Sequence, residues 1–543
     1  MKVLAIIPAC EGSTELPNKN LRVIKGIPMI CYTIRNALSS RYITDVIVSS
    51  NSKELLSLAR QMGAITRERC QDLCNPKVSI DKVVWDVFSQ LSLDDYDCVV
   101  TMQPISPTLK AETLDKAFDM LFSQGYDTVI SVRNQAHFYW KMQDGVPVPM
   151  QSQRVNRHLL EPFYKETGAF LISRSSCIRE DSRIGQKVGL FELFGDEAID
   201  VYSFGDLKQV ENAMNRQLTA FYVNGNETIG IGHITRSLQI ADEMFSKPDI
   251  YYDFNRTTAA SFGQTTYNLV PVDGDQGFVE KMRNSSYDII INDVLSTESD
   301  FMLSLKDAAP NARIINFEDE GEGARCADYV INALYENSNE SNAICGSRYF
   351  IIPKQFLIYH KIDIGDSVKN VIVTFGGADP QNYTETVLNI ISQPLYKDVH
   401  FYVVVGKINK RIDAIRKFDS LTNISILYDI DNMAEIMCRC DAAISSRGRT
   451  CFELAALGIP TLSIAQHERE ERHTFVCEAN GFVILAPESN AEVIESAIRD
   501  LAFSDKEYRQ ALQDKMILHD LRSGRRNVAN ILNNLEGYSN EKQ

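Results

Sequence analysis

The chain has 543 residues, 44% of them hydrophobic and 24% charged, which is typical of a folded globular protein rather than a disordered one. This length exceeds what one hydrophobic core supports, so we expect two to four domains. The formal net charge of −16 argues against a general nucleic-acid binder, because neutralising phosphates needs a basic surface.

The start of the chain predicts a β-strand and not a secretory signal, because Pro8 and a loop interrupt its short apolar run. No stretch approaches eighteen consecutive apolar residues, so we expect no membrane span. The twelve cysteines show no four-ligand zinc pattern, and we expect reduced thiols in a cytoplasmic protein.

The first 135 residues alternate short β-branched runs with longer amphipathic segments. Such alternation predicts βαβ units and a largely parallel, doubly wound α/β sheet, with ligands at the carboxyl ends of the strands. The predicted strands are 2–8, 45–50, 97–104 and 127–132, and the predicted helices are 29–38, 52–62 and 82–91.

The loop that follows the first strand spans residues 9–21 and contains glycine and lysine. Backbone N–H groups of such a loop can bind phosphates, and Lys19 is placed to neutralise a triphosphate. A solvated loop with a single lysine remains the simpler alternative from these residues alone.

Two further α/β series follow, and each resembles a Rossmann-type half. They predict a two-lobed nucleotide-sugar enzyme with its site in the cleft. The predicted strands are 219–225, 249–254, 287–293, 312–317, 328–333, 370–377, 400–406, 424–428, 442–446 and 461–465. The predicted domains are therefore 1–214, 218–364 and 365–540.

In the first of these series, His233 directly follows a G-x-G sequence at the predicted start of a helix. There the helix dipole disfavours an imidazolium, so a neutral ring could act as a base. A structural histidine is the alternative.

In the second series, Gly376 and Gly377 form a turn at a strand end, and a small-residue loop follows the strand 442–446. The loop and the following helix N-terminus could bind a diphosphate, with Arg447 or Arg449 pairing with its oxygens. Glu453, one turn into that helix, is placed to accept hydrogen bonds from a ribose.

Residues 1–214 resemble the acylneuraminate (CMP-nonulosonate) cytidylyltransferases. The resemblance rests on the loop 9–21, the strand end 47–51, Arg69 with its downstream Ser79 and Asp81, the loop 103–107, and the segments 167–170 and 199–211. It implies transfer of CMP from CTP to a nonulosonic acid, with Lys19 catalytic and Asp200 as a ligand of Mg²⁺. It implies substrate binding by Gly12, Ser13, Asn20, Arg69 and Gln103.

The sequence departs from that family pattern at four positions: Cys10, Thr14, Asn51 and Tyr202. Cys10 and Thr14 replace an arginine and a lysine, and Asn51 and Tyr202 replace aspartates. These departures leave open whether the first domain is catalytic or a binding and assembly unit.

Residues 218–500 resemble the UDP-sugar hydrolases of the pseudaminic acid pathway, which share the GT-B fold of the MurG-type glycosyltransferases. The resemblance rests on 230–236, 292–293, 317–320, 326–332, 376–379 and 446–453, where paired arginines replace more usual small residues. It implies hydrolysis of a UDP-linked 2,4-diacetamido-trideoxy sugar, with His233 activating water and Asp293 orienting the reacting groups. It implies substrate binding by Gly232, Arg236, Gly377, Ser446, Arg447, Gly448, Thr450 and Glu453.

Together the two resemblances predict a bifunctional enzyme of CMP-nonulosonate biosynthesis. The alternatives are a glycosyltransferase that uses the same two-lobed fold, a degenerate first domain fused to one enzyme, and a pair of scaffolds. By analogy with the first family we expect a homo-oligomer.

Overall fold

The structure is a computed structural model that describes residues 1–533, with the exception of residues 12–14, 76, 92–95, 152, 227–230, 336–340, 378, 407–408, 410, 429 and 431. The chain divides into two compact units between Arg216 and Gln217. Two predicted nucleotide-binding residues, Gly12 and Ser13, lie outside the described residues.

The first unit is built on a seven-stranded sheet whose central strands are buried on both faces, as expected for strands covered by helices. The strands of this unit are β1 (Val3–Pro8), β2 (Val23–Ile24), β3 (Ile27–Pro28), β4 (Asp45–Ser50), β5 (Ile65–Glu68), β6 (Cys98–Thr101), β7 (Thr128–Asn134), β8 (Trp140–Gln143), β9 (Val146–Pro149), β10 (Tyr164–Arg174) and β11 (Val188–Glu192). Of these, β2 with β3 and β8 with β9 form two separate hairpins. Its helices are α1 (Met29–Ser39), α2 (Lys53–Gln61), α3 (Ile80–Phe88), α4 (Ala111–Ser123) and α5 (Phe204–Met214). The order across the sheet is β11-β7-β10-β6-β1-β4-β5.

Strand β10 runs antiparallel between β6 and β7, while the other six strands share one direction, so the sheet is largely parallel as the sequence predicted. Its pairing with β7 shifts register between Glu166 and Leu171, and this bulge contains Gly168. A β-carbon at Gly168 would lie 2.3 Å from Cδ1 of Ile105, so any other residue would require Ile105 to shift. The bulge thereby brings the backbone of β10 against the loop that follows β6.

The second unit begins with a lobe built on seven parallel strands, which we call the first lobe. Its strands are β12 (Thr219–Val223), β13 (Asp249–Asp253), β14 (Asn268–Val272), β15 (Ile289–Asp293), β16 (Arg313–Phe317), β17 (Tyr329–Asn332) and β18 (Ala343–Cys345), and its helices are α6 (Gly232–Ala241), α7 (Gly274–Arg283) and α8 (Ser299–Ala308). The order is β14-β13-β12-β15-β16-β17-β18, so the carboxyl ends of β12, β15 and β16 are neighbours.

The second lobe carries six parallel strands in the order β21-β20-β19-β22-β23-β24. The strands are β19 (Asn370–Thr374), β20 (His400–Val405), β21 (Ile424–Tyr428), β22 (Ala442–Ser446), β23 (Thr461–Ile464) and β24 (Phe482–Leu485). The helices that follow are α9 (Tyr383–Ile391), α10 (Ile412–Ile415), α11 (Met433–Met437), α12 (Thr450–Ala456), α13 (Glu468–Glu471), α14 (Ala491–Ala502), α15 (Lys506–Met516) and α16 (Gly524–Asn533). Both lobes have the doubly wound strand order, which confirms the predicted fold class.

Helix α16 packs on the first lobe, although it follows the second lobe in sequence. Val528, Ile531 and Leu532 belong to the hydrophobic core of the first lobe. The buried Arg525 pairs at 2.6 Å with the half-buried Glu243, which lies just after α6. In the part of the chain that the structure describes, no helix is long and apolar enough to cross a membrane.

Candidate functional site

In the first unit, Asp200 lies where the β10 bulge meets the loop after β6. Its Oδ1 accepts hydrogen bonds from Oγ of Ser106 at 2.6 Å and from the Gly168 N–H at 3.2 Å. Burial raises the pKa of Asp200, although these hydrogen bonds favour its ionised form. The N–H of Gln103 donates to the Gly168 carbonyl at 3.0 Å, so Gln103 lies beside Asp200.

Lys19 lines a separate cavity of about 460 Å³ together with Cys10 and Asn20. Its ammonium lies 5.2 Å from the ring centroid of Tyr202, a cation–π distance. Burial lowers the pKa of Lys19, and the nearby Cys10, Glu15 and Asp200 oppose this effect. The structure therefore brings Lys19 and Asp200 into one electrostatic neighbourhood, with Tyr202 beside them.

Asn20 and Arg69 are both buried near the strand ends. Nδ2 of Asn20 donates to the Cys10 carbonyl at 3.0 Å, while its buried Oδ1 has no hydrogen-bond partner among the described residues. Nη2 of Arg69 donates to the Ser49 carbonyl at 2.7 Å, and burial lowers the pKa of Arg69. The fixed guanidinium lies beside Cys10, so it supplies positive charge where the family pattern has an arginine.

The metal expected for this domain can be tested against the side chains around Asp200. Among the described residues, no group of three or more His, Cys, Asp or Glu side chains could hold a metal ion by itself. Position 202 supplies a phenol instead of a second carboxylate. Since Mg²⁺ is commonly held by one or two carboxylates together with substrate phosphates, Asp200 fits a one-carboxylate site that a bound nucleotide completes.

In the second unit, His233 and Asp293 are in direct contact. His233 is the second residue of α6, Asp293 ends β15, and Nδ1 of His233 lies 2.6 Å from Oδ1 of Asp293. The contact follows from the sheet, because β12, which leads into α6, pairs directly with β15. Both residues were predicted as catalytic, and the structure brings them together.

Arg236 lies behind this pair. Its side chain is 3% exposed, its Nε donates to Oδ2 of Asp293 at 2.9 Å, and its other edge pairs with Glu318. Burial alone would raise the pKa of Asp293, but the charge of Arg236 and the contact with His233 hold it well below its usual value. Arg236 was predicted to bind substrate; these contacts instead support a role in orienting Asp293.

Glu318 follows β16 and connects the two lobes. Its second carboxylate oxygen accepts from Nη1 of Arg449 in the second lobe at 3.3 Å. Its backbone is left-handed, with φ of 50°, a conformation that costs a non-glycine residue about 1–2 kcal/mol. Burial would raise the pKa of Glu318, but Arg236 and Arg449 hold it below its usual value. The sequence places Glu318 directly after β16, a neighbour of β15, and this position alone could have indicated that Glu318 lies near Asp293.

His233 and the Arg449 loop line one cavity of about 490 Å³ between the two lobes of this unit. The cavity is also lined by Gly232, Gly448, His467, Glu470 and His473. Burial lowers the pKa of His473 to about 4, so its ring is neutral at pH 7. Its Nδ1 donates to the Arg447 carbonyl at 2.6 Å, which ties the residues after α13 to the loop after β22.

The other predicted residues of the second lobe surround this loop. Ser446 is buried at the end of β22, and Thr450 begins α12, which is seven residues long. Glu453 keeps some exposure, yet desolvation raises its pKa to about 7. Arg447 lines a neighbouring cavity of about 1230 Å³, and Gly377 is exposed after β19. Of the two arginines of this loop, Arg449 lines the same cavity as His233, whereas Arg447 lines the neighbouring one.

Comparison with known families assigns a match to each unit. The cytidylyltransferase family matches residues 4–197. The C-terminal domain of glycosyltransferase family 28 matches residues 371–525, which cover the second lobe and reach the start of α16.

Three relatives illustrate the range of similarity. A Helicobacter pylori protein described as pseudaminic acid cytidylyltransferase and UDP-2,4-diacetamido-2,4,6-trideoxy-beta-L-altropyranose hydrolase is 22% identical over 85% of this chain and 88% of its own length. The CMP-N,N'-diacetyllegionaminic acid synthase of Legionella pneumophila is 32% identical over 33% of this chain and 82% of its own length. An uncharacterized protein of Methanocaldococcus jannaschii is 26% identical over 46% of this chain, and the chain spans 56% of that protein.

Proposed function

Since this chain belongs to the cytidylyltransferase family through its first unit, we propose that it is a bifunctional enzyme of CMP-nonulosonate biosynthesis. One activity transfers CMP from CTP to a nonulosonic acid, and the other hydrolyses a UDP-2,4-diacetamido-trideoxy sugar to free sugar and UDP. The observation that carries the proposal is the similarity across 85% of the chain to a protein described with both activities. The His233–Asp293 pair supplies the chemistry for the second activity.

In the cytidylyltransferase reaction, a sugar hydroxyl attacks the α-phosphate of CTP and pyrophosphate leaves. Lys19 neutralises negative charge that accumulates on the phosphates. Asp200 would hold Mg²⁺, which supplies further neutralisation when bound. Gln103, beside Asp200, binds the acceptor sugar, and the free Oδ1 of Asn20 accepts a hydrogen bond from a ligand donor.

In the hydrolase reaction, His233 removes a proton from water as the water oxygen attacks the anomeric carbon. Asp293 is ionised and can only accept, so Nδ1 of His233 carries a proton and Nε2 is the free base. The bond between the anomeric carbon and the phosphate oxygen breaks, and UDP leaves. Arg449, in the same cavity, is placed to balance charge on the departing diphosphate.

The two activities are tested separately on the full-length protein. Pyrophosphate release from CTP is measured with Mg²⁺ and a panel of nonulosonic acids, with Lys19→Ala as the comparison. Release that depends on both the sugar and Lys19 supports the first activity. Absence of release, from protein that still frees UDP from the UDP-sugar, means that only the second unit is an enzyme.

We further propose that the protein is a homo-oligomer. The hairpin of β8 and β9 exposes the apolar side chains of Trp140 (56%), Met142 (69%) and Val146 (59%). Exposed apolar side chains such as these are typical of a protein interface. Light scattering of the wild type and of Trp140→Ser would show loss of the oligomer on substitution. The cytoplasmic location stays a prediction.

A further inference from the structure

Glu318 forms an ion pair with each lobe of the second unit. Among the described residues, it is the only one next to the His233–Asp293 pair that does so. One carboxylate oxygen pairs with Arg236 of the first lobe, and the other accepts from Arg449 of the second lobe. Because both arginines share one buried carboxylate, any shift of Arg449 changes the balance of charge around Arg236.

The contacts continue from Arg236 to the reacting atoms. Arg236 fixes both oxygens of Asp293, and Asp293 fixes Nδ1 of His233. Arg449 itself is held over the ring of Phe350, with its guanidinium carbon 4.7 Å from the centroid. The charged or titratable groups that line the same cavity are His233, Arg236, Glu318, Tyr335, Arg449, His467, Arg469, Glu470 and His473.

We propose that Glu318 is a positioning residue that ties the His233–Asp293 pair of the first lobe to the nucleotide-binding loop of the second lobe through Arg449. The imidazole of His233 is then held in its catalytic orientation only when the two lobes are close enough for Glu318 to contact Arg449. This inference rests on the proposed hydrolase activity. It explains why an arginine stands at position 449, where the resembling family has a small residue.

A second ion pair between the lobes provides a matched control. Arg472 pairs with Glu320 at 3.1 Å, and the Arg472 side chain is 59% exposed. This pair joins the same two lobes, but the described contacts do not lead from it to Asp293 or His233. An exposed pair of this kind contributes little to stability.

The experiment compares Glu318→Gln, Arg449→Met, their double variant, Arg449→Lys and the control Arg472→Met. For each protein, kcat is measured for UDP release from the UDP-sugar, and the Kd for UDP is measured by calorimetry. We expect kcat to fall about 10–100-fold in Glu318→Gln and in Arg449→Met, because misplacing a catalytic group has effects of this size. The Kd for UDP of Glu318→Gln should stay within about threefold of the wild type, which separates positioning from binding.

The double variant should be no slower than the slower single variant, since both substitutions break the shared Glu318–Arg449 contact. Arg449→Lys should recover part of the lost rate, and Arg472→Met should match the wild type. Multiplying effects in the double variant, or a rise in Kd with kcat intact, would overturn the proposal. The first outcome means independent roles, and the second means that Arg449 is only a phosphate ligand.

Failure of the proposed function has a different signature. If the wild type binds UDP but releases no UDP from the UDP-sugar, the hydrolase assignment fails. The positioning role of Glu318 is then tested by the NMR signal of the His233 ring. In protein labelled with ¹⁵N-histidine, with His233→Gln assigning the resonance, Glu318→Gln and Arg449→Met should both shift the His233 Nδ1 signal, and Arg472→Met should not. An unshifted signal overturns the proposal.

Discussion

Nδ1 of His233 and Oδ1 of Asp293 are 2.6 Å apart. His233 lies at the start of α6, and Asp293 ends β15, which pairs with β12, the strand before α6. The carboxylate of Asp293 is fully buried and held ionised by Arg236, so it accepts a hydrogen bond from His233 and cannot donate one. The pair therefore fixes which ring nitrogen of His233 faces the cavity as a base.

His233→Gln removes that base while leaving the Asp293–Arg236 ion pair intact. We expect kcat for UDP release to fall about 10²–10⁴-fold, the range for loss of a general base. Calorimetry should give nearly the wild-type Kd for UDP. The control is His400→Gln, since His400 lies in β20 and contacts Ser425. Full activity of His233→Gln would remove His233 from the mechanism.

Asp293→Asn should destabilise the second unit, because it leaves the buried Arg236 short of one carboxylate. We expect a loss of about 3–5 kcal/mol at pH 7, measured by thermal unfolding. The folded pKa of Asp293 is depressed, so its stabilising effect is present above the unfolded value and is lost as pH falls through the folded value. The wild type should therefore keep its advantage at pH 5. An equal Tm for both proteins at pH 7 would contradict this prediction.

Glu453→Gln tests the opposite sign of pH dependence. Burial raises the folded pKa of Glu453 to about 7, so its contribution is fully present below the unfolded pKa and declines as pH rises through 7. Relative to Glu453→Gln, the wild type should lose thermal stability between pH 5 and pH 8. Glu492→Gln, at an exposed position in α14, is the comparison. A constant difference in Tm across that range would show that Glu453 is well solvated.

Gly168→Ala should damage the first unit through steric overlap at the β10 bulge. The new β-carbon would lie 2.3 Å from Ile105, so we expect a loss of about 1–3 kcal/mol together with reduced pyrophosphate release. The control is Gly205→Ala in α5, where the nearest atom lies at 3.5 Å and alanine favours the helix. Similar behaviour of the two variants would mean that the bulge adapts to a methyl group.

Tyr202→Asp should strengthen metal binding next to Asp200. A second carboxylate is expected to lower the Mg²⁺ concentration for half-maximal pyrophosphate release about tenfold. Tyr202→Phe, which keeps the ring beneath Lys19, separates the added charge from the lost hydroxyl. If Tyr202→Asp responds to Mg²⁺ as Tyr202→Phe does, a second carboxylate at this position is not what limits the metal site.

The sequence predicted the alternation of strands and helices because buried parallel strands and amphipathic helices leave distinct patterns. It also predicted His233 from the preceding G-x-G at a helix start, and Asp293 from the resemblance to the UDP-sugar hydrolases. The structure brings the two together because β12 and β15 are neighbouring parallel strands. It made no prediction of the direction of β10, because an apolar run has the same pattern in either direction. The Glu318–Arg449 contact could not be predicted, since it depends on how two lobes approach and not on local periodicity.

The packing of α16 on the first lobe has a consequence for folding during synthesis. Part of the core beneath β12 and β15 is supplied by Val528, Ile531 and Leu532, which the ribosome makes last among the described elements. At about 5–20 residues per second, the roughly 180 residues between β18 and α16 take on the order of 10–40 s to appear. During this interval the core side chains that α16 covers in the folded chain lack that cover, so we expect the nascent first lobe to bind a chaperone.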